Sequence, residues 1–305
     1  MIKADRAYVR YTRFILVFVF IVIAAGGVVR MTQSGMGCPD WPRCFGRWIP
    51  PTSADQLPAD YEKYLKKQDI DHTFNVFHTW IEYINRLCGA ILGFLIIIHT
   101  VWSFRKYYRT QRNVSWLALL LFLAVCFQGW LGKRVVDANL ATVKITTHML
   151  VALVLTVIPV MILRILRPVE KVQDKGLKWL SILTLALLLT QIVLGTEVRE
   201  QVDEVSRSLN YVQRELWLSR LDVFFTLHKT FAWAAALACV ILFWRSLSYA
   251  VLQSLGAWIF VIILITMGLG LSMAYYHIPA LAQPLHLICS CILFTLVFAQ
   301  KLRIR

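Results

Sequence analysis

The stretch FHTWIEYINRLCGAILGFLIIIHTV, residues 77–101, decides how the chain is to be read. As a helix it is long enough to cross a hydrocarbon core about 30 Å thick. Yet it carries Glu82 and Arg86 one helical turn apart, with His78 a turn earlier and Asn85 between them. Charge is costly in lipid, so an ionisable side chain inside a span is a functional candidate by default. The plain alternative is an i,i+4 pair whose two members neutralise each other.

Working outward, comparable apolar runs occur at 14–29, 116–132, 145–163, 179–195, 223–244, 251–272 and 285–300, making eight with 77–101. Of the 305 residues 58% are hydrophobic, and the mean hydropathy is +0.62. That excess excludes an ordinary soluble domain and predicts an all-α integral membrane protein with eight transmembrane helices. Charge supports the count. Segments 1–13, 103–115, 164–178, 245–250 and 301–305 hold 17 Lys and Arg, whereas the short opposite loops 133–144 and 273–283 hold three and none. The positive-inside rule then places both termini in the cytoplasm of a cell (cytoplasmic or inner) membrane. The net charge of +15 is explained by loops meeting anionic membrane lipid, so no nucleic-acid partner is implied. No signal-peptide cleavage pattern precedes the first run, which reads as a retained span. Trp102, Trp116, Trp179 and Trp244 fall near span ends, as interfacial anchors do.

The chain also repeats itself. GGVVR at 26–30 resembles GTEVR at 195–199, and Gly132 precedes His148 by the spacing that separates Gly270 from His286. Aligning NRLCGAILG with HKTFAWAAA pairs Asn85 with His228 and Arg86 with Lys229. These matches predict two tandem, pseudo-symmetric four-helix bundles, 1–172 and 173–305, related in parallel. Each has a long outer loop after its first span, 31–76 and 197–222. The second loop reads as a polar helix lying on the membrane surface.

Four of the seven histidines, His78, His148, His228 and His286, fall in the first turns of the even-numbered spans, all toward the outer leaflet. Each alone could be an interhelical hydrogen-bonding group. Four at one depth, two per half, favour axial ligation of heme iron between facing helices. Zinc or copper would want Cys, carboxylate or His neighbours at short spacing, and no such cluster occurs. His72, His99 and His277 are given ordinary interfacial roles. Glu82 is the one acidic residue well inside a span, and Phe225 replaces it in the second half. Arg86 and Lys229 are then candidate partners for heme propionates. Cys38 and Cys44, in GCPDWPRC on the oxidising side, are compatible with a disulfide that braces the loop or with a dithiol pair that exchanges electrons.

GGVVRMTQSGMGCPDWPRCFGRWIP at 26–50, IEYINR at 81–86, the turns QGWLG and QIVLG, and the histidines of spans 4, 6 and 8 together resemble the heme A synthase family, in the class with a cysteine pair in its first outer loop. The resemblance covers nearly the whole chain. It implies oxidation of the C8 methyl of heme O to a formyl group, giving heme A for terminal cytochrome oxidases. His228 and His286 would ligate a heme b that relays electrons, and His148 would bind the iron of the substrate heme. Glu82 would be the catalytic carboxylate, and Cys38–Cys44 the loop disulfide. Where many members carry a second histidine this chain has Asn85, a poor iron ligand. His78 then stands either as substitute ligand or proton relay, or as an interfacial residue. Heme O synthase is the implied substrate supplier and a quinol or thiol the implied electron donor. A homo-oligomer is compatible with this reading. A non-catalytic di-heme cytochrome and a heme carrier or permease are the competing readings.

Overall fold

A computed structural model describes residues 5–65, 73–137 and 142–305, leaving His72 outside the described residues. The chain is helical: α1 (Arg6–Met31), a single turn α2 (Glu62–Leu65), α3 (Val76–Tyr107), α4 (Arg112–Asp137), α5 (Thr142–Leu166), α6 (Lys175–Ser208), α7 (Val223–Ser246), α8 (Ala250–Tyr275) and α9 (Ala282–Lys301). Among the described residues eight helices are long and apolar enough to cross a membrane, and these contain the eight runs read from the sequence. The protein is a multi-pass membrane protein. Each helix overshoots its apolar run because backbone hydrogen bonding continues through charged turns until a cap intervenes. Asp5, Asn75, Asp174 and Asp222 supply N-caps to α1, α3, α6 and α7.

Only a narrow face of each helix is buried. On α1 the stripe is Tyr8, Thr12, Ile15, Val19, Ile23 and Gly27, while Phe14, Val17 and Ile21 on the other side are about half exposed. Apolar side chains facing outward along a whole helix suit acyl chains. Trp116, Trp179 and Trp244 are exposed near helix ends, whereas Trp102 packs on Tyr8 and Tyr11.

The chain divides into two compact units, 1–159 and 160–305, with the division at Pro159 in α5. In the first unit α1 packs on α3 and α3 on α4. In the second, α6 packs on α7, α7 on α8, α8 on α9, and α9 returns to α6.

The buried stripes of corresponding helices stand in one register. Tyr8, Thr12, Ile15, Val19, Ile23 and Gly27 of α1 correspond, at constant spacing, to Leu177, Ser181, Thr184, Leu188, Ile192 and Thr196 of α6. Leu92, Ile96, His99 and Ser103 of α3 correspond in the same way to Ala235, Cys239, Leu242 and Ser246 of α7. Such matching is consistent with the tandem repeat.

Two expectations are corrected. Residues 200–208 do not form a separate surface helix; they extend α6, because no helix breaker follows Gly195 and Arg199 pairs with Asp203 one turn on (2.8 Å). The rest of that loop folds as two short 3₁₀ turns around Trp217, which is buried with Val202 and Ile278. His99 is not interfacial either. It is fully buried, stacked on Tyr8 (4.8 Å between ring centres) and bonded through Nε2 to Thr12 Oγ1 (3.1 Å).

Candidate functional site

The loop after α1 folds back onto α3. Cys38 and Cys44 form a disulfide, and Asp40 closes the loop by accepting from the backbone N–H groups of Phe45 (2.6 Å) and Gly46 (2.9 Å). Gly37 lies so close to the backbone of His78 and Thr79 that a Cβ there would collide with it. That contact lets Thr79 Oγ1 donate to Gly37 O (2.9 Å) and brings the Cys38 N–H to Glu82 Oε2 (2.7 Å). Glu82 is 4% exposed, so it is turned away from the surrounding acyl chains.

Arg86 completes the clamp. Its Nε donates to Glu82 Oε1 (3.1 Å), Nη1 to Asp40 O and Arg43 O, and Nη2 to Cys38 O (2.7 Å) and Glu82 Oε1. A guanidinium has five N–H donors, and all five are used here. Arg86 therefore neutralises Glu82 and fastens three loop carbonyls; a propionate would have to displace one of them. His78 borders the same clamp, in a crevice with Met36, Phe45, Phe74 and Asn75. In the second unit the corresponding i,i+4 pair is a cation over a ring: Lys229 Nζ sits 4.3 Å from the centre of Phe225. Lys229 is exposed.

The other candidates sit on glycines. A Cβ at Gly132 would lie 3.5 Å from the His148 ring, one at Gly195 3.4 Å from His228, and one at Gly270 3.3 Å from His286. Asn85 fills the fourth seat, 4.0 Å from such an atom on Gly26. Each seat is made by a helix that presents bare backbone to a polar side chain of the next membrane-spanning helix. Gln128 Nε2 donates to His148 O (3.0 Å), and His286 Nδ1 donates to Thr266 O (3.0 Å).

His228 and His286 are brought together, their ring centres 6.5 Å apart and their planes at 68°. Imidazole nitrogens about 2.0–2.1 Å from one shared metal put the ring centres about 6.3 Å apart. The pair thus fits a single iron between its rings, and the glycine cradles fit a flat group that needs its ligands held still. Among the described residues no group of three or more His, Cys, Asp or Glu is placed to hold a bare metal ion. His277 is exposed in the loop between α8 and α9. Cys88, Cys126, Cys239, Cys289 and Cys291 are free thiols on the helices.

Sequence reasoning missed Gly37, Asp40 and Thr79, because their roles arise from a loop meeting a helix dozens of residues away. It also left the glycines without a role, although the equal Gly132–His148 and Gly270–His286 spacings were the visible trace of two seats.

Fold and seats define a class: multi-pass helical membrane proteins that seat imidazoles on glycines of the neighbouring helix. Within that class the chain belongs to the COX15-CtaA family of cytochrome oxidase assembly proteins, whose family profile matches residues 9–298. It is 29% identical over 187 residues to a Shewanella oneidensis protein named heme A synthase, covering 60% of this chain and 54% of that one. It is 30% identical over 125 residues to human heme A synthase COX15 (39% of this chain, 30% of the human protein) and 33% identical over 117 to a Halalkalibacterium halodurans heme A synthase (38% and 32%). The matched region thus spans about half or less of the length of these relatives.

Proposed function

We propose that the protein is a heme A synthase, an oxidoreductase that converts the C8 methyl of heme O to a formyl group. The observation that carries the reading is asymmetry between the two compact units. Both have glycine-seated polar side chains, but only the first buries a carboxylate, Glu82, beneath a disulfide-braced loop. A purely structural repeat gives no reason to place the most costly group in one half alone.

In this reading His228 and His286 hold heme b, which when bound supplies one-electron redox chemistry. His148 binds the iron of the substrate heme, and Asn85, at the sister seat of His228, leaves the opposite side without a strong ligand. Glu82 stabilises positive charge developing at the methyl carbon, an effect greatest in a low-dielectric pocket. Arg86 and the Cys38 N–H hold that carboxylate in one orientation. Lys229, exposed on α7, remains the partner assigned to a propionate. The termini face the cytoplasm, the heme sites lie toward the outer leaflet, heme O synthase supplies the substrate, and a quinol or thiol supplies electrons.

The closed Glu82–Arg86 pair favours one competing reading, a non-catalytic di-heme cytochrome in which Glu82 only braces the loop. Pigment analysis decides between them. Expression beside a heme O source is expected to yield heme A, and Glu82→Gln to leave heme O or a partly oxidised pigment. Unmodified heme O accumulating with the intact protein would select the cytochrome.

A further inference from the structure

The loop that clamps Glu82 carries an exposed apolar tip that the clamp does not use. Trp48 and Ile49 are 64% and 69% exposed, between an exposed Arg47 and two buried prolines, Pro50 and Pro51. Arg43, also exposed, lays its guanidinium over the Trp48 ring, 5.4 Å from the ring centre. Two adjacent large apolar side chains on a loop tip call for a partner.

The contacts of the loop fix the height at which this tip stands. Trp80 Nε1 donates to Pro51 O (3.2 Å). Trp80 and Trp102 lie 22 residues apart on α3, about 33 Å along its axis, which is close to one hydrocarbon thickness. Trp102 stands one turn before Arg105 and Lys106, at one membrane boundary, so Trp80 falls at the other. Ile49 is two residues from Pro51 and hence within about 7 Å of it. The other end of the segment is held no higher. Arg86, six places further into the span than Trp80, donates to Arg43 O (3.1 Å). Cys44 and Arg47 then exchange backbone hydrogen bonds of 2.9 and 3.1 Å. Residues 43–51 are thus tied at both ends to the stretch of α3 that enters the hydrocarbon.

The tip also stands on the apolar side of that helix. Trp80 heads a stripe continued by Ile84, Leu87, Ile91 and Phe94, all exposed and all on one helical face. Its indole therefore joins the tip to the surface that α3 presents to acyl chains. The chemistry of the tip agrees. Indoles favour the boundary between headgroups and acyl chains, and exposed Arg43 and Arg47 suit the phosphates found there.

We propose that Trp48 and Ile49 insert into the bilayer leaflet around the start of α3, with Arg43 and Arg47 on lipid phosphates, and that lipid thereby holds the loop closed over Glu82. The link from tip to carboxylate is short. Trp48 follows Arg47, which is hydrogen-bonded to Cys44; Cys44 is joined by its disulfide to Cys38, whose N–H binds Glu82. Arg86 reads the same loop through Cys38 O, Asp40 O and Arg43 O. Freeing the tip from lipid would loosen every one of these contacts from a single point.

The test uses the full-length protein in nanodiscs of phosphatidylcholine and phosphatidylglycerol. Cys88, Cys126 and Cys289 are replaced by serine and the disulfide is kept. A nitroxide is attached at Ile49→Cys, at Phe94→Cys on the exposed stripe, and at Asp55→Cys in the exposed part of the loop. At positions 49 and 94, accessibility to oxygen is expected to exceed accessibility to a water-soluble nickel chelate, with the order reversed at position 55. The aqueous order at position 49 would overturn the proposal. Low accessibility to both probes at position 49 would overturn it too, because it marks a protein contact in place of lipid. Hydrogen exchange reads the link to the clamp. In a Trp48→Ser, Ile49→Ser double variant the amides of residues 37–47 are expected to exchange about tenfold faster than in the parent. Unchanged exchange would overturn the claim that lipid holds the loop closed. Neither readout depends on heme, so the outcome stands apart from the proposed activity.

Discussion

At the residue scale, the proposed chemistry rests on one buried ion pair. Glu82 and Arg86 are 5% and 14% exposed in their side chains, and a buried pair broken from one side leaves an uncompensated charge that costs about 3–5 kcal/mol. Arg86→Leu also strips donors from Cys38 O, Asp40 O and Arg43 O, so thermal unfolding in detergent is expected to show a loss at least that large. Glu82→Gln keeps an acceptor for the Cys38 N–H but leaves the Arg86 cation without its carboxylate, so it should also lose stability, by less than Arg86→Leu because the three loop carbonyls stay bound, while activity disappears. Gly37→Ala tests the clamp without touching a charge. Its added methyl meets the His78 backbone, which cannot swing aside, so the loop should lift from α3 and heme A production should fall with Glu82 intact. That Glu82 was special was legible in the sequence, because a lone carboxylate in an apolar run is conspicuous. That Arg86 serves the loop was not, because its partners are backbone carbonyls that no side-chain pattern announces. His99 shows the reverse. Nothing in its surroundings marked it as buried, yet it lies in a stripe where the second unit has Leu242. His99 Nδ1 and Tyr8 Oη are buried without hydrogen-bond partners. His99→Leu removes that unpaired nitrogen, but also the Nε2–Thr12 bond and the stacking on Tyr8. These opposing effects are each on the order of 1 kcal/mol, so the unfolding temperature is expected to stay within a few degrees of the parent.

At the element scale, helices carry the candidate ligands and glycines set how closely they approach. Gly270 and Gly268 lie on the same helix two residues apart. A Cβ on Gly270 would meet His286 at 3.3 Å, while one on Gly268 would meet nothing within 4 Å. Gly270→Leu is therefore expected to abolish the low-spin heme b spectrum and Gly268→Leu to preserve it; equal spectra would undo the seating argument. The start of α6 carries a pH-sensitive cap. Asp174 accepts from Leu177 N (2.8 Å), Arg245 (2.8 Å) and Tyr249 Oη (2.9 Å). These contacts, the Leu177 N–H foremost, hold its carboxyl below the ordinary 3.8. A depressed folded-state value contributes stability that is complete above the ordinary value and is lost as pH falls through the folded one. Unfolding temperature should thus decline on acidification below about pH 4, with a shallower decline in Asp174→Asn. The register of buried stripes was legible as a repeat only at its marked points, the GGVVR/GTEVR pair and the glycine-to-histidine spacings. Between them, Leu, Ile, Val and Ala substitute freely on a packed face, so the repeat persists in burial after it has faded from identity.

At the scale of the whole molecule, eight apolar runs and a lopsided distribution of Lys and Arg predict a topology before any contact is known. Reporter fusions are expected to place both termini on the cytoplasmic side and the loop holding Cys38 and Cys44 on the other. The sequence by itself determined the number of spans, the repeat and the candidate imidazoles, because lipid imposes length and polarity on each segment separately and those quantities are local. Only the tertiary structure decided that Gly37 admits the loop to α3, that Arg86 is spent on its carbonyls, that residues 200–208 continue α6, and that the rings of His228 and His286 stand 6.5 Å apart. These outcomes depend on which backbone meets which side chain across distant parts of the chain. Close packing settles such meetings, and hydropathy does not encode them.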